Sequence, residues 1–266
     1  MIEIVTQKQA REVMRLGFCY VCGEPFTEDN PKTRDHAPPR SVFQSDDRNW
    51  PLILPAHEQC NSEYSFSDEQ AQGLVALVHA SVDGVPPLGT EVTGIEDEHG
   101  ELCGAAMTGL QLRRIVAKIL RACYAALYGE FLREEQTNEA IILPLPILDS
   151  ETSELDSSEN YPMHEVVCKI LKDNRQIGNI DRTEAYNGKF RFHTVWATTD
   201  DGGNHFGIFA IDLYGWHRLA DEMAGTPQGC FGTYRLGNSL PPENASIATG
   251  IELPYRYSQP RNPFEE

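Results

Sequence analysis

Two identically spaced pairs carry the clearest chemistry in the sequence: Cys19-Tyr-Val-Cys22 and His57-Glu-Gln-Cys60. Side chains with two residues between them converge in a tight knuckle, and two knuckles supply the tetrahedron that Zn²⁺ takes with thiolate and imidazole ligands. Cys19, Cys22, His57 and Cys60 would form a closed Cys3His site, the structural kind with no position left for water. Gly23 follows the first pair, where the turn is tightest. A lone C-x-x-C pair is also the mark of a thiol redox centre, but no βαβ pattern surrounds this one. The remaining cysteines, Cys103, Cys123, Cys168 and Cys230, are scattered, as small buried hydrophobes are. Between the knuckles lie 34 residues, rich in Pro, Asp and Asn and poor in periodicity, so that a bound ion rather than a core has to hold them.

That interval contains Arg34-Asp35-His36, Arg40 and Arg48-Asn49, and Cys60 is followed directly by Asn61. Asn49 stands 14 residues after Asp35 and Asn61 stands 26 after it. In order and spacing, these residues resemble an HNH endonuclease of the ββα-metal superfamily, in the variety whose fold is stapled by zinc between two knuckles. The resemblance covers about residues 18–70, roughly a quarter of the chain. It departs from the usual pattern in one place, because His57 stands where a cysteine is commoner; zinc accepts either.

The resemblance implies a metal-dependent hydrolysis of phosphodiester bonds in DNA, without separating DNA from RNA. Asp35 and Asn61 would hold one Mg²⁺ or Mn²⁺ through oxygen atoms, which such hard ions favour. His36, with an ordinary pKa near 6.5, would act as the general base that activates water. Asn49 would pin the hairpin loop and orient the histidine. Arg34, Arg40 and Arg48 flank the site and could grip phosphates in bidentate fashion. One such site makes one cut, so double-strand cleavage calls for two visits or a homodimer. Restriction, phage defence and mobile elements all use such domains, which leaves the biological setting open.

Charge stands against that expectation. The chain has 266 residues with 22 Lys+Arg against 40 Asp+Glu, a net of −18, the reverse of an ordinary nucleic-acid binder. Residues 1–70 carry a net of −5, residues 71–160 of −10 and residues 161–266 of −3. The excess therefore sits in the middle, in Glu91–Glu101 and in Asp149–Glu159, the second of which has the composition of a solvated linker. A basic helix face made of Arg113, Arg114, Lys118 and Arg121 would compensate locally, with Arg114 and Lys118 on phosphates. The alternative is a non-catalytic, zinc-stapled binding module whose acidic body engages a protein partner. No apolar run is long enough to span a bilayer, and the start lacks a basic segment followed by an apolar one. A cytoplasmic protein with reduced thiols is expected.

The elements that must position these residues follow from periodicity. Thr6 to Leu16 reads as a short amphipathic helix, and Ser67 as the cap of a helix over Asp68 to Val82. The strongest helical pattern runs from Thr108 to Leu132, with Leu112, Ile115, Val116, Ile119, Leu120, Cys123, Leu127 and Phe131 on one broad face. Phe190 to Trp196 alternates as a strand, Gly207 to Leu213 reads as a buried strand, and 200–204 as the hairpin connection between them. Trp196, Tyr214 and Trp216, and the histidines His193, His205 and His217, are read as structural. The expected class is α+β: a zinc-stapled ββα-metal domain over 1–82, an acidic connection with the amphipathic helix over 83–150, and an α+β domain with antiparallel strands over 151–266.

Overall fold

The first secondary structure is a two-residue strand, β1 (Glu3–Ile4), followed by helix α1 (Gln7–Val13). Thr6 caps this helix reciprocally with Gln9, each accepting from the other's backbone N–H, which satisfies two donors of the first turn. The chain is described here by a computed structural model over residues 1–78, 89–96, 99–100, 102–133, 141–143, 170–171, 173–198, 205–213, 230–237 and 241–248. It combines helices with mixed sheets, an α+β architecture.

The segment between the cysteine pairs forms an antiparallel hairpin, β2 (Lys32–His36) with β3 (Ile53–His57), in which Asp35 faces Leu54 and His36 faces Ile53. Helix α2 (Glu58–Glu63) starts on the next residue, and α3 (Ser65–Val78) follows after Tyr64 alone. The chain passes so directly from α2 into α3 that no loop residue is needed as a cap. Ser67 accordingly lies inside α3, where its hydroxyl donates to Gln111 Oε1 (2.9 Å).

The region expected to be an acidic connection contains a second hairpin, β4 (Glu91–Glu96) with β5 (Leu102–Thr108). Gly94 interrupts the β-branched Val92, Thr93 and Ile95 of β4, and Gly104, Ala105 and Ala106 in β5 carry little strand preference. Helix α4 (Leu112–Tyr128) is shorter at both ends than periodicity suggests, because β5 takes Thr108 and Gly129 terminates the helix at φ 69°. A left-handed glycine at that position closes the last turn at no steric cost.

Every residue of α4 from Ile115 to Leu127 is buried, including Lys118 and Arg121. One side packs on α3, and the other on β1 and on β7 (Asp181–Ala185). The sheet beyond also contains β6 (Ile141–Leu143), β8 (Phe190–Thr198), β9 (His205–Leu213) and β10 (Cys230–Gly237), in the order β1-β7-β8-β9-β10-β6. All pairings are antiparallel except β1 with β7. Tyr128 joins helix to sheet: its hydroxyl donates to Asp181 Oδ2 (2.9 Å) and accepts from Trp196 Nε1 (3.0 Å).

The tip of the β7–β8 hairpin also touches the loop of the β2–β3 hairpin. Tyr186 stacks on Phe43 with ring centroids 3.9 Å apart, and its hydroxyl donates to the Pro38 carbonyl (2.8 Å). Apolar residues from Val13 to Ile211 consequently belong to one buried cluster. Among the described residues, no helix is long and apolar enough to cross a membrane. The acidic stretch 149–159, the connection 200–204 and the sequence expectations for Cys168 and His217 lie outside the described residues.

Candidate metal centre and buried carboxylate site

The two cysteine-containing knuckles meet. One ligand atom each from Cys19, Cys22, His57 and Cys60 lies within 4.8 Å of all the others. His57 Nδ1 is 3.4 Å from Cys22 Sγ and 3.9 Å from Cys60 Sγ, against about 3.6 Å for an S···N edge of a zinc tetrahedron. The donor set and its spacing fit a zinc ion. The first knuckle is held by Gly23 N–H donating to the Cys19 carbonyl (2.8 Å), and Cys19 Sγ accepts from the His57 N–H (3.4 Å). Gly23 is required twice over: its φ is +81°, and a Cβ there would lie 2.6 Å from the Phe131 ring. Burial raises the pKa of the Cys22 and Cys60 thiols; Cys19 adds to both and Cys22 adds to that of Cys60, whereas the Glu24 backbone and Cys60 oppose the rise at Cys22. Without a cation these thiols keep their protons, and binding one displaces them.

The second feature is Asp35, buried at 4% exposure on the inner face of β2. Tyr20, inside the first knuckle, donates its hydroxyl to Asp35 Oδ2 (2.6 Å). Lys118 Nζ lies 3.2 Å from the same oxygen and 2.7 Å from Asp68 Oδ2, on α3. Asn61, with its amide nitrogen turned inward, donates to both Asp35 oxygens (3.0 and 3.2 Å). Two carboxylates and one ammonium thus share a pocket walled by three elements. Burial raises the Asp68 pKa although Lys118 opposes it, and burial next to Asp35 raises that of the Tyr20 phenol, which stays protonated as a donor.

His36 follows Asp35 on β2 and is half-buried. Burial lowers its pKa; Asp35 opposes the shift, whereas Arg40, Arg34 and Lys118 reinforce it. His36 is therefore a neutral imidazole at pH 7, able to accept a proton. Asn49 lies in the connection between the strands, its amide donating to the Asp46 carbonyl (3.3 Å). Arg48 Nε donates to the Phe43 carbonyl (2.7 Å). Arg34 is exposed and lines a cavity of ≈350 Å³ against α1, and Arg40 is exposed at the start of a 3-10 turn.

The helix residues expected to face phosphates divide. Arg114 is exposed, stacks over the Tyr64 ring at 4.6 Å and donates to the Glu63 carbonyl (2.7 Å). Lys118, at 2% exposure, faces Asp35 and Asp68 instead of solvent, and Arg121 donates inward to the Val21 carbonyl (3.2 Å) and the Tyr64 hydroxyl (3.3 Å). The sequence reading missed Tyr20 and Asp68 as partners of Asp35. Tyr20 was in plain view between the cysteines, whereas nothing along the chain signals that Lys118 and Asp68 meet there.

Comparison with protein-family profiles, with curated proteins and with solved structures finds no match to this chain. Its functional reading therefore rests on the two sites themselves.

Proposed function

We propose that the chain is an HNH-type, metal-dependent endonuclease, its ββα unit being β2, β3 and α2 stapled by zinc at Cys19, Cys22, His57 and Cys60. The observation that carries this reading is the meeting of Asp35 and Asn61 beside the Cys3His cluster, with a neutral His36 on the adjoining strand position. If the Asn61 amide is turned over, its oxygen stands 3.0 and 3.2 Å from the carboxylate oxygens. That separation is close to the about 3.0 Å edge of an octahedron with 2.1 Å metal–oxygen bonds. A Mg²⁺ or Mn²⁺ bound there would supply charge neutralisation at the scissile phosphate and the leaving oxygen. His36 takes the proton of the attacking water as its oxygen bonds to phosphorus. The P–O bond to the leaving oxygen breaks, and that oxygen regains a proton from solvent. Arg34 and Arg40, both exposed and both acting electrostatically on His36, would contact neighbouring phosphates. DNA is the proposed substrate.

A second reading is favoured by one observation. Lys118 already neutralises Asp35 inside a closed pocket, as suits a non-catalytic, zinc-stapled module whose acidic body engages a protein partner. Divalent-dependent nicking of supercoiled plasmid, lost in His36→Ala with zinc content retained, supports the nuclease. Absence of nicking by the parent protein in Mg²⁺ and in Mn²⁺ supports the module.

A further inference from the structure

Gln7, Ala10, Arg11 and Met14 recur at i, i+3, i+4 and i+7, so they share one face of α1 and its cap. That face does not close fully on the β2–β3 hairpin. A cavity of ≈350 Å³ lies between them, lined from the hairpin side by Arg34, Pro51 and Ile53. Its size is at the lower end for small-ligand sites. Ala10, Met14, Pro51 and Ile53 are each half-buried and supply apolar surface. Arg11 and Arg34 are exposed and bring one guanidinium from each side. No carboxylate lines the cavity. Neither guanidinium has an ion pair or a hydrogen bond among the described residues. Glu12, the one acidic residue of α1, is paired with Arg15. Lys32 adds a cation at the edge, its Nζ donating to the Met14 carbonyl (3.0 Å).

Two unpaired guanidinium groups on elements that meet across an open cavity suit an anion bound between them, and their planar forks match phosphate oxygens two at a time. Inorganic phosphate would leave the apolar surface unused. A nucleotide uses both parts, with its phosphate on the arginines and its ring on Met14, Pro51 and Ile53. The Gln7 carboxamide, which carries both donors and an acceptor, suits the edge of a base. The cavity also adjoins the strand position of His36. Ile53 is the cross-strand partner of His36, and directly opposed residues of an antiparallel pair have Cα atoms about 4.5–5.5 Å apart.

We infer that the cavity between α1 and the β2–β3 hairpin is a subsite for one nucleotide unit, its phosphate held by Arg11 and Arg34 and its ring seated on Met14, Pro51 and Ile53. A free mononucleotide and one unit of a single strand present the same chemistry to it. Use of the subsite beside His36 in a strand being cut rests on the nuclease reading, but the binding itself does not. The probes are the four deoxynucleoside 5′-monophosphates, the matching nucleosides, inorganic phosphate and a mixed-sequence single strand of six nucleotides. They are titrated calorimetrically into the zinc-loaded full chain without added Mg²⁺. At least one mononucleotide should bind, and its nucleoside should bind about tenfold more weakly or worse, the scale of a hydrogen bond to a charged group. Inorganic phosphate should also be about tenfold weaker, because it buries no apolar surface. In Arg11→Glu/Arg34→Glu, the nucleotide Kd should rise by about tenfold or more, with zinc content and melting temperature kept. A strand that binds at least as tightly as the mononucleotide identifies a strand subsite; one that fails to displace it identifies a free-nucleotide site.

If neither a mononucleotide nor the strand binds, or if binding is unchanged in the folded charge-reversed variant, the subsite is overturned. Nucleoside or inorganic phosphate binding as tightly as the nucleotide also overturns it. A parent protein that binds nucleotide but never nicks plasmid keeps the subsite and removes the nuclease. One that nicks plasmid, with nucleotide binding equal in parent and variant, does the opposite.

Discussion

Replacing Lys118 by Met tests the reading of the buried pocket most directly. The substitution keeps the length of the aliphatic stem and removes only the ammonium, which is 3.2 Å from Asp35 and 2.7 Å from Asp68. Two carboxylates then remain in one pocket, Asp35 almost without solvent and Asp68 about one-fifth exposed. Removing one partner of a buried ion pair costs about 3–5 kcal/mol. Tyr20 and Asn61 still donate to Asp35, and water reaches Asp68, so the lower end, about 3 kcal/mol, applies. For a chain of this size that lowers the melting temperature by about 6–12 °C. The sign with pH follows from linkage. Burial raises the folded pKa of Asp68 and Lys118 opposes the rise, so without the ammonium the folded state is penalised further where that carboxyl must ionise. The deficit should be full at pH 7 and shrink as pH falls through the raised value. Paired melts of parent and variant by circular dichroism between pH 4.5 and 7.5 measure it. A variant within about 1 °C of the parent at pH 7, or a deficit of constant size across that range, refutes the charge argument.

The remaining expectations concern the two metal-related clusters. Elemental analysis should find about one zinc per chain, and Cys22→Ser should lose both the metal and the order of residues 18–61; a folded, zinc-free parent protein contradicts the cluster's role. His36→Ala should cut plasmid about 10²- to 10⁴-fold more slowly with zinc content unchanged. Because burial lowers the His36 pKa, the acid limb of the parent's pH–rate profile should fall below pH 6.5; a limb above 6.5 contradicts that assignment.

The Cys3His cluster was legible because its members are spaced locally, with two residues between them in each knuckle, and only the closure between knuckles is left to the fold. Asp35 and Asn61 were legible for a related reason, since a hairpin and the helix that directly follows it bring them together. The far wall of their pocket was not. Periodicity identified α4 and placed Lys118 off its apolar stripe, but it cannot tell whether the polar side of a helix faces water or carboxylates on another element. The six-stranded sheet shows the same boundary. The alternation in β8 is a property of nine successive residues, whereas the parallel pairing of Glu3 with Arg182 leaves no trace in either segment. β5 was missed because Gly104, Ala105 and Ala106 carry little strand preference, and β4 because Gly94 breaks the short run of Val92, Thr93 and Ile95. Nor does sequence show that Phe43, from the part with the Cys3His cluster, stacks on Tyr186 of the sheet.

The pocket charge also separates the nuclease from the binding module. With Asp35 and Asp68 ionised and Lys118 protonated, the parent pocket is singly negative; without the ammonium it is doubly negative. A divalent cation at Asp35 and Asn61 competes with Lys118 for the same carboxylate, so removing Lys118 should tighten its binding. A ligand at ten times its Kd stabilises the folded state by about 1.4 kcal/mol, which is about 3–6 °C here. Under the nuclease reading, millimolar Mg²⁺ or Mn²⁺ should raise the melting temperature of Lys118→Met by at least that amount, and by less in the parent. Adding Asn61→Ala to the variant should reduce the rise, because Asn61 contributes a ligand. Ca²⁺, also bound by oxygen donors, should stabilise without supporting cleavage, which keeps binding and chemistry apart. If none of the three cations moves either melting curve, Asp35 and Asn61 are not a metal pair. Asp35 is then a structural anion held by Tyr20, Asn61 and Lys118, and the zinc-stapled binding module becomes the better account of the chain.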